Sequence, residues 1–429
     1  MKLLFVHNNF PAQFRNLATA LAGDPRVQMA AIGSETARAM PGVSLHRYAG
    51  VAPHTPAHSF SRRFDGETRR AEQVLYAATR LAQDGFVPDL ILVHPGWGEN
   101  LPLRAVFPKA KLVVYCEYYY RAEGGDVGFD PEFPALGVDG AVALDCKNAA
   151  TLLALASCDA ALSPTRWQKS TFPSDFRHKI EVIHEGVDTD YFAPDPGAAL
   201  TLSDGVRLSA TDEIVTYSAR SLEPIRGFHS FMRTLPRVLE ARPKAKIVIV
   251  GDDGISYGVP PRKHPTWKAA LLDELRGRLD ERRVLFLGRL PYGDYRRVLQ
   301  VSSAHVYLTY PFVLSWSLLE AMSAGCLVIG SDTAPVREMI DGDNGLLAPM
   351  FDREALAETI VGALADPEAH AIRRVRARQF VRDHFNARGI CTPKLIHWIE
   401  GLVGSHNVEA PGIGLAFPPQ VEALRASGR

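Results

Sequence analysis

Metal-type cysteine spacing is missing from this chain. Its five cysteines, Cys116, Cys146, Cys158, Cys326 and Cys391, are scattered and odd in number, which argues against a zinc site or a paired disulfide framework. Cys116 and Cys326 fall in apolar, strand-like runs and read as reduced core thiols of a cytoplasmic protein. An apolar run long enough to span a bilayer is also missing. The opening run Met1–His7 is too short for a signal peptide, and polar Asn8 and Asn9 follow it at once. Nor is charge of one sign in excess: 48 basic and 48 acidic side chains cancel over 429 residues. Such a balance sets up no general field for nucleic acid, so an anionic ligand has to be met by local geometry. No Gly-x-Gly-x-x-Gly follows a strand signal, and there is no P-loop, no Gly-x-Ser-x-Gly and no histidine cluster at metal-ligand spacing. The usual markers of dinucleotide oxidoreductases, P-loop enzymes, serine hydrolases and zinc hydrolases are therefore absent. Repeats at solenoid spacing are absent too.

What the chain does have is alternation. A hydrophobic content of 46% and a charged content of 22% suit two or three ordinary globular domains. Buried-strand runs at Lys2–His7, Asp89–His94, Lys111–Cys116, Asp159–Ser163 and Ile180–Ile183 are separated by helical periodicities, such as Phe14, Leu17, Ala18 and Leu21. The pattern restarts at Glu213–Ser218 and continues through Lys246–Val250, Val284–Gly288, His305–Thr309 and Leu327–Gly330. Strands alternating with helices imply α/β units with parallel sheets. The expected division is a Rossmann-like domain over 1–194, a polar linker over 195–211 and a second Rossmann-like domain over 212–385. A terminal helix over 386–402 and a loose tail over 403–429 complete it. Two doubly wound domains predict a ligand cleft at the carboxyl ends of their strands.

The densest signal is Tyr310-Pro-Phe-Val-Leu-Ser-Trp-Ser-Leu-Leu-Glu320-Ala-Met-Ser-Ala-Gly325. It follows a strand, and Ser315 or Ser317 can cap the helix it starts; Gly325 stops that helix. A helix start beyond a strand's carboxyl end offers backbone N–H groups and a positive dipole end to a phosphate. Glu320, expected in the first turn of that helix, suits sugar hydroxyls, although Ser317-Leu-Leu-Glu320 also fits a capping box. A second cationic run, Ser218-Ala-Arg220-Ser-Leu-Glu-Pro-Ile-Arg226-Gly227, follows another strand.

These runs resemble family 4 glycosyltransferases, retaining enzymes of the GT-B fold. Leu319-Glu320-Ala321-Met322-Ser323-Ala324-Gly325 matches the second half of the family's nucleotide-sugar motif, while Phe312 stands at its first glutamate and Ser315 at its turn glycine. Arg220 matches the arginine that grips the donor diphosphate, and Arg226 stands where lysine is usual. Guanidinium binds phosphate bidentately but with different reach. His184-Glu-Gly-Val-Asp188 with Phe192-Ala-Pro194 resembles the segment ending the first domain. Glu338 with Asn344-Gly345 resembles supports of the site. In the first domain, Asn8 and Asn9 replace a Gly-Gly turn, and Val93-His94-Pro-Gly-Trp97-Gly looks like the family's histidine loop. Glu117 occupies the place of a histidine near the reacting sugar. Asparagines before a helix are also ordinary caps, and Glu117 could simply pair with Arg121.

The resemblance implies a GT-B architecture whose terminal helix crosses back onto the first domain, with closure expelling water before transfer. It implies a retaining hexosyl transfer from a nucleotide diphosphate sugar, metal-independent and without a cofactor. Glu117, His94, Arg220 and Arg226 would act at the reaction. Asn8, Asn9, Ser315, Trp316, Ser317 and Glu320 would join both arginines at the donor. The partners implied are a UDP- or GDP-sugar and a glycan, lipid-linked or small-molecule acceptor. Peripheral association with the inner face of a membrane is compatible with Arg62, Arg63, Arg69 and Arg70 on one helix, as is a solvated helix face. Rival readings are a nucleotide-sugar epimerase on the same fold and, because of Phe312, a non-catalytic partner subunit.

Overall fold

The computed structural model describes residues 1–51, 58–134, 136–202 and 205–404. By compactness the chain forms two units, one of Met1–Gly186 with the segment from Ala387, the other of Val187–Asn386. The expected tail, 403–429, lies outside the described residues from 405 onward.

The first unit is built on a seven-stranded sheet of β1 (Lys2–Val6), β2 (Gln28–Gly33), β3 (Val43–Arg47), β4 (Leu90–Val93), β5 (Lys111–Tyr115), β6 (Ala160–Ser163) and β7 (Ile180–Val182). Its strand order is β3-β2-β1-β4-β5-β6-β7, and every pairing is parallel. Leu3, Leu4, Phe5 and Val6 are fully buried, as a strand covered by helices on both faces requires. The order reverses between β1 and β4, so residues just beyond their carboxyl ends share the switch point where such folds bind ligands. The terminal helix Thr392–Val403 belongs to this unit. Its Ile396 and Ile399 join a core with Leu3, Phe5 and Leu17, and Leu395 and Trp398 pack beside them. Burying two isoleucines contributes on the order of 4 kcal/mol to that docking. The chain leaves the unit at Gly186 and re-enters at Ala387. Gly186 has φ 77°, and a Cβ on it would stand 2.5 Å from the Ala387 Cα, so only glycine fits.

The second unit carries six parallel strands: β10 (Ile214–Ser221), β11 (Lys246–Asp252), β12 (Val284–Gly288), β13 (Ala304–Tyr307), β14 (Val328–Ser331) and β15 (Leu346–Ala348). They run in the order β12-β11-β10-β13-β14-β15. The switch lies between the central strands β10 and β13, so the turns after both share the carboxyl end of the sheet. Residues expected as a linker, 195–211, include an antiparallel hairpin of β8 (Ala199–Thr201) and β9 (Arg207–Ser209). Leu200 and Leu208 bury into the second unit's core beside Ile214.

Candidate functional site

In the first unit β1, β4 and β5 are neighbours, so His7, His94 and Glu117 emerge together at their carboxyl ends. His94 caps the short turn Pro95–Trp97: its Nδ1 accepts the Gly96 N–H at 3.1 Å. The ring proton of neutral His94 therefore sits on Nε2, which donates to Glu117 Oε2 at 3.2 Å. Gln13 Nε2 donates to Glu117 Oε1 at 2.8 Å, and Gln168 Nε2 donates to the Glu117 carbonyl at 2.7 Å. Glu117 is thus held at both carboxylate oxygens and at its backbone. Arg121 is not among these partners. Trp97 packs on the two histidines, with ring centroids 4.6 Å from His94 and 5.2 Å from His7. Gly98 closes this turn at φ 90°, where a Cβ would collide with the Glu67 carbonyl at 2.5 Å.

The asparagine turn uses much of its polarity internally. The Asn9 N–H donates to His7 Nδ1 at 2.9 Å, and the Thr36 hydroxyl donates to Asn9 Oδ1 at 2.5 Å. Asn8 accepts Ser34 at its carbonyl, while its side-chain oxygen is buried without a partner. On the helix Arg62–Gln83 the arginines brace the histidine loop. Arg63 bonds Glu67 and the Gly96 carbonyl, Arg70 donates to the Trp97 carbonyl at 2.7 Å, and Arg69 pairs with Asp65. Among the described residues no helix is long and apolar enough to cross a membrane.

In the second unit Arg220 is exposed at the end of β10. Arg226, on the following turn, is 8% exposed and donates through one nitrogen to Thr309 Oγ1 at 2.9 Å and to the Val313 carbonyl at 2.8 Å. Gly227 behind it has φ 67°, and a Cβ would lie 2.4 Å from that of Leu308. Phe312, at the place of the missing glutamate, is buried. Its ring meets Tyr257 edge-on at 5.0 Å, and the Arg226 guanidinium lies 5.5 Å from its centroid. Glu223, also buried, accepts the backbone N–H groups of Ser256, Tyr257 and Gly258, which fixes that loop over Arg226.

The helix after β13 spans Trp316–Ser323, with Ser315 as its N-cap. Ser315 N–H donates to the Tyr307 hydroxyl at 2.9 Å, which occupies one of the three backbone donors in this turn. Trp316 and Ser317 open the helix and are half-buried. Glu320 stands in the second turn, not the first, so the Ser317–Glu320 capping box does not form. Its buried carboxylate accepts the Tyr292 hydroxyl instead. Asn344 donates to the Met339 carbonyl at 2.9 Å and stays a support of the turn.

Sequence reasoning passed over Gln13, Glu223, Tyr257 and Tyr292. Gln13 stands in the same short run as Asn8 and Asn9, but nothing local marks its bond to a residue 104 positions away. Glu223 sits between the two arginines, and an acid beside Pro224 at a strand end was the available signal.

Two units of this kind, each a parallel sheet flanked by helices, define the GT-B architecture. Solved structures agree in fold: a sucrose-phosphate synthase from Thermosynechococcus elongatus aligns at TM-score 0.72 with 18% identity, covering 94% of this chain and 99% of that one. An Anabaena HepE structure with UDP aligns at 0.66 with 17% identity, covering 94% and 100%. Residues 25–192 match the family described as "Glycosyl transferase family 4 group", and residues 212–366 match "Glycosyl transferases group 1". The chain belongs to the family 4 glycosyltransferases. A phosphatidyl-myo-inositol mannosyltransferase from Mycolicibacterium smegmatis is 30% identical over 223 residues, half of each chain. A D-inositol 3-phosphate glycosyltransferase from Kribbella flavida is 27% identical over 195 residues, 44% of this chain and 43% of its own. The chain spans about half the length of the curated relatives it matches.

Proposed function

We propose that this protein transfers a hexose-type sugar from a nucleotide diphosphate donor to a hydroxyl-bearing acceptor with retention of configuration. The observation that carries the reading is the pair Arg220 and Arg226 after the switch-point strand β10, one exposed and the other braced on Thr309 and Val313, just before the helix Trp316–Ser323. The leaving diphosphate gains charge as its bond to the sugar breaks, and fixed guanidinium groups with backbone N–H groups stabilise that charge. The acceptor oxygen bonds to the same face of the sugar carbon, and its proton passes to the departing diphosphate oxygen. Neither a metal nor a protein nucleophile is required by this route. Glu117, negatively charged and held by two donors, takes sugar hydroxyls or offsets positive charge developing on the sugar ring. His94 orients it. UDP- and GDP-sugars are the candidate donors, and glycan, lipid-linked or small-molecule hydroxyls the acceptors. GDP-mannose comes first for testing because a matched relative is named a GDP-mannose-dependent mannosyltransferase.

The test is a thermal-shift panel of UDP, GDP, ADP and dTDP in chelator, followed by hydrolysis and transfer assays with the matching sugars. A diphosphate that raises the melting temperature and a donor consumed at the anomeric carbon are expected. No shift with any of the four would overturn the reading. A changed sugar nucleotide released without acceptor would establish the epimerase instead.

A further inference from the structure

We propose that Gln13 is a positioning residue for Glu117, and that His7 decides which way the Gln13 amide faces; this rests on the transferase reading above. The Asn9 N–H donates to His7 Nδ1, so the proton of neutral His7 sits on Nε2. His7 is 2% exposed, and burial with His94 beside it holds its pKa well below the ordinary value. It stays neutral, with a single N–H to give.

That Nε2 is buried without a hydrogen-bond partner, and so is Gln13 Oε1. Gln13 lies close enough to the His7 ring to raise its pKa, the direction an acceptor oxygen gives. An amide's two ends are told apart only by what they meet. Facing an N–H from His7, Gln13 presents its oxygen there and its NH2 to Glu117 Oε1 at 2.8 Å. His94 is locked in the same sense from the other side, with Gly96 on Nδ1 and Glu117 Oε2 on Nε2. The order His7, Gln13, Glu117, His94 thus has one self-consistent arrangement of protons, and a single negative charge rests on Glu117. An amide link does not conduct protons as an imidazole does. The device orients a carboxylate; it does not relay.

Positioning without contact to substrate has a distinct signature. Gln13→Leu removes the donor to Oε1 and lets the carboxylate turn, so kcat falls about tenfold or more while the KM for donor stays the same. Gln13→Glu sets two carboxylates against one another, and on acidification they share a proton that restores the donor. Its rate therefore recovers at low pH relative to Gln13→Leu. The ionisable groups facing the pair are His94, His7 and Tyr115, whose hydroxyl donates to Glu185. A readout free of activity is the imidazole nitrogen spectrum of labelled protein. Wild type shows His94 as the neutral Nε2–H form, and Gln13→Leu shifts that resonance. Equal rates in Gln13→Leu and wild type, or an unmoved His94 resonance, overturn the proposal. A wild-type protein that transfers no sugar sinks the transferase reading alone, since the spectrum still decides the role of Gln13.

Discussion

The Tyr292 hydroxyl donates to the Glu320 carboxylate inside the second unit, joining a half-buried tyrosine to a glutamate only 2% exposed. The motif glutamate is therefore a built-in part of the fold, whatever else it binds. Hydrogen bonds to buried charged groups are worth roughly 1.5–3 kcal/mol. Tyr292→Phe removes this donor and should lower the melting temperature of the free protein. Glu320→Gln, which keeps volume and an oxygen acceptor, should cost less. Differential scanning calorimetry without nucleotide separates the two. Equal, negligible losses would make the bond incidental.

Arg220 and Arg226 should separate under mutation. Arg226 ties the turn after β10 to Thr309 and Val313, whereas Arg220 is exposed. Arg226→Ala is expected to weaken nucleotide diphosphate binding and also to destabilise the protein by about 2 kcal/mol, because the buried Thr309 hydroxyl and the part-buried Val313 carbonyl lose this donor. Arg220→Ala should weaken diphosphate binding with little change in melting. Calorimetric titration with diphosphate and with nucleoside is the check: equal losses for both ligands would remove the arginines from the diphosphate.

His305 sets a pH limit. It is fully buried in β13, shares Nδ1 with the Thr216 hydroxyl, and burial pulls its pKa down to about 4. Its unfolded value lies near 6.5. Between those values the unfolded chain binds more protons than the folded one, so stability falls as pH drops from about 6.5 to about 4. The loss attributable to His305 is on the order of 3 kcal/mol at the acid end. Denaturant melts at pH 7 and pH 4.5 should show a smaller decrease in His305→Asn than in wild type. Parallel decreases would assign the acid loss to other groups.

Why some of this was legible in the sequence and some was not follows from range. The inner strands β1, β4, β5, β10 and β11 are short apolar runs at strand length, so local pattern suffices. β2, Gln28-Met-Ala-Ala-Ile-Gly, is alanine-rich with weak strand preference, and β3, Val43–Arg47, is a half-polar edge strand; β2 forms on β1, and β3 forms on β2. At the candidate site, Arg220 and His94 could be placed because each stands at a strand end, and Glu320 because its motif run follows a strand. The partners that decide their chemistry, Tyr292 for Glu320 and Gln13 for Glu117, reach them across 28 and 104 residues. Pattern at helix or strand period carries no trace of such pairs.

Phe312 is expected to be structural. Enclosed by Tyr257 and the Arg226 guanidinium, it fills volume that a hydrophilic glutamate would have to share with those groups. Phe312→Ala should cost about 3–5 kcal/mol, the range for a buried aromatic ring. Phe312→Glu should also destabilise, softened by the nearby guanidinium. If Phe312→Glu instead gained sugar transfer that the wild type lacks, the chain would be a degenerate, non-catalytic subunit.

Glu117 carries the sharpest test of the reaction. Its two oxygens accept from Gln13 and His94, and no rotamer of an amide can accept from both without turning an NH2 toward a donor. Glu117→Gln therefore removes the negative charge and breaks one of the two bonds at once. Turnover should fall by roughly two orders of magnitude or more, the scale of losing an electrostatic group at a reacting centre. Binding of bare nucleotide diphosphate should hardly change, because the carboxylate is assigned to the sugar and not to the phosphates. Glu117→Asp keeps the charge but withdraws it by one methylene, so it should retain more activity than Glu117→Gln if charge is the operative property. Steady-state kinetics paired with titration of the diphosphate decide the matter. Undiminished kcat in Glu117→Gln would return this carboxylate to a purely structural role.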